Sequence, residues 1–182
     1  MHGYRLKGFT LIELVVVITI VAILAAVALP RFIALQRDAR IAKLNAAKGS
    51  VAAASALVHS AYLTRSGAAD TTACAGAGTA DNTTTICTEH GLVAITSGYP
   101  AVVATGTLGT GNPGIIGAAG LTSNFNPTAA DLAAEGYTVT GAGGVQTVQI
   151  SSAATPAQCQ FTYTEAAANA AAVVSVVTAT GC

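Results

Sequence analysis

Tryptophan is absent from this 182-residue chain, methionine occurs once, and aromatic residues make up only 5%. Charge is scarce as well, at 9%. The 117 residues after Arg65 contain no lysine or arginine, yet carry Asp70, Asp81, Glu89, Asp131, Glu135 and Glu165. A half without cations cannot neutralise phosphates, which argues against direct nucleic-acid binding there. There is also no C-x-x-C pair among Cys74, Cys87, Cys159 and Cys182, so a four-cysteine metal site is disfavoured. No serine, cysteine or metal-ligand spacing builds a catalytic constellation. Only Glu89-His90 sets an acid beside an imidazole, and both read as solvated loop residues, while His59 falls on a helix beside an apolar stripe. The glycines between 106 and 120 lack the strand–turn–helix context that phosphate binding needs. We expect no enzyme, no cofactor and no metal.

The net charge is zero, but all eight lysines and arginines lie at or before Arg65, so a basic N-terminal half precedes an acidic one. Such asymmetry suggests electrostatic contact between copies or with a charged surface. At the start, Met1 to Gly8 is a short leader with Arg5 and Lys7, followed by Phe9-Thr10-Leu11-Ile12-Glu13-Leu14 and an apolar run to Leu29 and Pro30. Phe9 to Leu29 is 21 residues, roughly 30 Å of helix and enough to span a bilayer. The positive-inside rule keeps the leader cytoplasmic and puts the remainder outside. Glu13 is costly in such a segment and needs a partner. A secretory signal cut near Ala26-Val27-Ala28 is one alternative, but Glu13 interrupts its apolar core and the chain beyond Leu29 stays helix-like. A plain single-span anchor is another, and it leaves Gly8-Phe9 unexplained.

Gly8, Phe9, Thr10, Leu11, Glu13 and Pro30 together resemble the N-terminus of the type IV prepilins, a family that includes the type II secretion pseudopilins. The resemblance implies peptidase cleavage after Gly8 and methylation of the new Phe9 amine. It also implies that Glu13 pairs with that amine, within one chain or in a neighbour, and so sets the register of assembly. A buried charge left unpaired costs several kcal/mol. The stretch Pro30-Arg31-Phe32-Ile33-Ala34-Leu35-Gln36 with Asp38-Ala39-Arg40 is most similar to type IVa major pilins, among them the mannose-sensitive haemagglutinin type.

The fold expected is α+β. The divisions are a leader over 1–8, removed, a membrane or filament-core helix over 9–30, a helix over 31–66 that packs on the head, and a globular head over 67–182. Leu44, Ala47, Val51, Ala54, Val58 and Ala61 recur at spacings of three and four, one stripe of a long helix running from about 9 to 65. Pro30 predicts a kink or local melting near Ala26–Pro30. In the head, 67–89 reads as a polar loop and 97–120 as irregular. Asn126 reads as the N-cap of a short helix with Pro127 first and Gly136 as its stop. Strand candidates are Tyr137–Thr140, Val145–Ser151, Gln158–Thr164 and Val173–Thr180, the last taken as covered on both faces. They suggest an antiparallel sheet that receives the helix stripe.

An even cysteine count beyond an export signal reads as two disulfides. Proximity pairs Cys74 with Cys87 around the polar loop. The resemblance pairs Cys159 with Cys182 across the C-terminal loop, a feature of type IVa pilins. The function implied is a structural subunit of a helical homopolymer, an extracellular type IV pilus that supports adhesion, motility or surface contact. Its partners are further copies of itself, the prepilin peptidase, the inner-membrane pilus assembly machinery, the inner membrane before assembly, with the head in the periplasm, and a host or surface receptor. A pseudopilin or minor pilin is the alternative within the family. The major pseudopilin generally lacks the C-terminal disulfide and uses a calcium loop that has no counterpart here. A monomeric membrane-anchored binding module is the alternative of another class.

Overall fold

The computed structural model describes residues 9–65, 67–74 and 78–182. Contacts divide the chain into two units, the second beginning at Arg40. One helix, α1 (Leu11–Arg65), belongs to both. In the first unit its side chains from Leu11 to Leu35 are almost all exposed, although nearly all are apolar. The helix runs through Pro30 without a melted turn. Proline removes one backbone bond, and the flanking Ala, Val, Leu and Ile residues keep the rest of the ladder.

The second unit is an α+β domain. Its helix segment buries Leu44, Ala47, Val51, Ala54, Ser55 and Val58. That is the expected stripe, except that Ala61 is only half-buried and Ser55 joins the buried face. Leu44, Ala47, Val51 and Ala54 pack on Ile115, Ile116, Leu132, Tyr137, Val139, Val148, Ile150, Phe161 and Tyr163. Alternating strand residues supply the sheet side of this core, because successive side chains on a strand face opposite ways.

The four-stranded sheet is antiparallel throughout, in the order β4 (Tyr137–Ala142), β5 (Val145–Ile150), β6 (Gln160–Thr164), β7 (Val173–Val174), preceded in the chain by a smaller sheet. Gly143 and Gly144 close the β4–β5 hairpin with φ of 58° and 76°, the left-handed pair that a two-residue hairpin turn requires. In β6, Phe161 and Tyr163 are fully buried. The last strand is shorter and barer than expected. Only Val173–Val174 pairs as a strand, Thr178 returns as a single bridge to Gln160, and Val173 and Val176 are exposed. A β-branched apolar run at a sheet edge has nothing packed on its outer face, and its composition is the same as that of a covered strand.

The smaller sheet has β1 (Thr85–Thr88), β2 (Gly91–Thr96) and β3 (Tyr99–Pro100) in that order, with β1 in the segment read as a polar loop, β3 in the one read as irregular and β2 between the two. Cys87 therefore sits on a strand and not in an open loop. Ser97 and Gly98, with φ of 51° and 80°, form the β2–β3 turn, a Ser-Gly signal present in the sequence. Gly98 also lies flat on the Tyr62 ring, where a Cβ would stand 2.5 Å from ring carbon. Two short helices follow, α2 (Ile115–Ala118) and α3 (Ala129–Ala134). The N-cap of α3 is Thr128, not Asn126. Thr128 and Asp131 form a reciprocal capping box that satisfies two orphan backbone donors. Asn126 instead donates from Nδ2 to the Gly111 carbonyl at 2.9 Å. The backbone N–H of Thr128, then its hydroxyl, hold the Asp131 carboxyl below the usual carboxylate range. Gly136, at φ 76°, does follow the end of α3.

Candidate assembly site

The helix start is organised by Thr10 and Glu13. Thr10 donates to Glu13 Oε2 from its backbone nitrogen at 2.8 Å and from Oγ1 at 2.7 Å, and Glu13 N donates back to Thr10 Oγ1 at 3.3 Å. The Thr10 carbonyl accepts from Leu14 N at 3.3 Å. Thr10 is thus an N-cap, and Thr-x-x-Glu is a capping box. Sequence reading had singled out Glu13 and missed this role of Thr10, although the four-residue pattern is visible. The consequence is chemical. One oxygen of the carboxylate is satisfied by its own first turn, so Glu13 is held rigid at the helix start. In the uncut chain the Phe9 nitrogen is a peptide nitrogen, not an amine.

Phe9, Ile12, Val16 and Val17 line a shallow apolar surface around Glu13. Phe9 is 86% exposed. Further along, the Thr19 hydroxyl donates to the Val16 carbonyl at 2.8 Å, which leaves no free donor in the apolar run at that point. By length and composition this helix is able to cross a membrane. The expected cleavage residue Gly8 lies outside the described residues.

In the second unit Cys74 is bonded to Cys87, and Cys159 to Cys182. Asp70 lies near the first pair. Its carboxylate is occupied by Arg65 at 3.4 Å and by Asn82 Nδ2 at 2.9 Å. Arg40 donates to the Cys182 carbonyl at 2.8 Å, and Lys43 donates to the Glu135 carbonyl while lying over the Tyr137 ring. These two cations therefore fasten the helix segment of the second unit to its own domain. His59 stacks on Tyr99 at 3.9 Å between centroids and bonds the Gly98 carbonyl at 3.0 Å. Glu89 and His90 are the two-residue turn of the β1–β2 hairpin, 3.5 Å apart and largely in solvent. Within the second unit the arrangement holds the helix segment to a disulfide-tied domain.

Residues 5–29 match the prokaryotic N-terminal methylation motif. Over 53 residues the chain is also 49% identical to the type IV narrow pilus major component PilA5 of Thermus thermophilus. The motif and the relative make the N-terminal segment similar to that of a type IV pilus major component, and the chain as a whole is a long helix followed by antiparallel sheets. The matched stretch is 29% of this chain and spans less than half, 46%, of that relative. No solved structure matches the chain.

Proposed function

We propose that this chain is a structural subunit of an extracellular type IV pilus filament that supports adhesion, motility or surface contact. The observation that carries the reading is the methylation motif over residues 5–29, continuous with an exposed apolar helix. The prepilin peptidase cuts after Gly8, and the Phe9 amine is methylated. The helix over 9–30 holds the subunit in the inner membrane, with the second unit in the periplasm. The inner-membrane pilus machinery then moves that helix into the filament core, exchanging lipid contacts for contacts with other apolar helices.

Glu13 sets the register in that core. Its Oε2 is held by Thr10, which leaves Oε1 for the methylated amine of a neighbouring Phe9. A misaligned subunit leaves both charges without partners in an apolar interior, at a cost of several kcal/mol. Pro30 ends the membrane segment, and the Cys74–Cys87 and Cys159–Cys182 bridges hold the exported head closed outside the cytoplasm, where thiols oxidise. The test is intact mass spectrometry of sheared surface fibres. The expected subunit begins at Phe9 with one added methyl group and two disulfides. A subunit beginning at Met1 or Leu29, or fibres that lack this chain, would refute the reading.

A further inference from the structure

A groove of about 570 Å³ opens in the second unit, between Leu57 and Ala61 of α1, the Glu89-His90 turn, and the loop carrying Gly120 and Phe125. Its wall is mostly apolar. Leu57 is 69% exposed, and Phe125 lies 6.2 Å from the His90 ring. One charge stands on its lip. Glu89 is 86% exposed and touches only the neighbouring His90 among the described ion pairs. The volume is in the range of sites that take a few side chains or a small molecule.

We propose that this groove is a socket between subunits and that it takes residues 31–39 of a second copy of the chain. The proposal rests on the homopolymer reading above and goes beyond it by naming both surfaces. Arg31, Phe32, Leu35 and Ala39 fall on one face of a helix by their spacing. Phe32 and Leu35 are 60% and 65% exposed, so the Phe32 ring and the Leu35 methyls lack cover once the helix leaves lipid. Arg31 is exposed and has no ion-pair partner among the described residues. By contrast, Arg40, Lys43 and Arg65 are engaged inside the second unit.

The charges fit the same docking. The chain beyond Arg65 has no cation of its own to offer Glu89, and Arg31 flanks the apolar pair on the incoming face. An amphipathic helix laid into an apolar groove, with an ion pair at its edge, is a common recognition mode. The two patches differ, so the contact is head-to-tail, and repetition extends it into an open array and not a closed dimer.

A photoreactive benzoylphenylalanine placed at position 57 of the full-length chain tests this in sheared filaments. Illumination is expected to join it to a peptide containing residues 31–39 of another copy. Filaments in normal yield whose crosslinks map to another segment, to another protein or to lipid would overturn the socket while leaving the fibre reading intact. Absence of this chain from wild-type fibres would instead overturn the fibre reading. A charge exchange covers the case in which the photoreactive variant does not assemble. Glu89→Arg and Arg31→Glu are each expected to lower filament yield roughly tenfold, since like charges then face each other, at an unchanged level of mature subunit in the membrane. The double variant is expected to recover most of it. A double variant no better than either single, or singles at wild-type yield, would refute the pairing.

Discussion

Tyr163 offers the sharpest test of how the two sheets are joined. It is fully buried on β6, and its hydroxyl donates to the Pro100 carbonyl on β3 at 2.6 Å. Burial, reinforced by the Glu165 charge, pushes its phenol up to about 12, against an ordinary value near 10. The folded value exceeds the unfolded one, so the associated stability is complete below about pH 10 and is lost as pH rises towards 12. Two units at about 1.4 kcal/mol each make this roughly 2–3 kcal/mol. Tyr163→Phe removes the ionisation and the hydrogen bond together. At pH 7 it should cost about 1–2 kcal/mol, because the Pro100 carbonyl stays buried without its donor. The assay is urea unfolding of the detergent-solubilised full chain by circular dichroism, from pH 7 to 12, beside an ultraviolet titration of the phenols. Wild type should lose stability steeply above pH 10, and the variant should keep only the smaller slope due to Tyr137, whose phenol burial also raises. A variant as stable as wild type at pH 7, or one with the full alkaline slope, would refute the account.

Replacing Cys159 and Cys182 together by alanine opens a loop with a sequence separation of 23. It should cost about 3 kcal/mol by chain entropy, read as a lower urea midpoint than in wild type. Leu44→Ala removes a fully buried side chain at the centre of the helix–sheet core. It should cost about 2–5 kcal/mol in the same unfolding assay, while an exposed-site control such as Leu63→Ala should cost far less. Glu13→Val should leave membrane insertion and cleavage intact and depress the ratio of sheared filament to mature membrane subunit. Normal filament yield, in cells without a wild-type copy, would show that Glu13 is not the register device.

Local patterns were legible in the sequence where one physical period dominates. The apolar run to Leu29, the stripe from Leu44 to Val58 and the alternation of Phe161 and Tyr163 each follow from helix or strand geometry alone. The capping box of Thr10 and Glu13 was equally local and was readable by the same rule. Tertiary structure alone decided the smaller sheet, the exposed last strand and the groove beside Leu57. It also decided the long-range bonds. Arg40 meets the Cys182 carbonyl across 142 positions, Tyr163 meets Pro100 across 63, and Gln146 Oε1 accepts from Val103 N across 43. No period encodes such pairs, because they depend on how closely distant backbones approach. At Gly114 and Gly141 a Cβ would stand about 2 Å from the Ala101 and Val103 carbonyl oxygens. Only the folded chain shows that those two glycines are there to let a strand-like segment lie against the core.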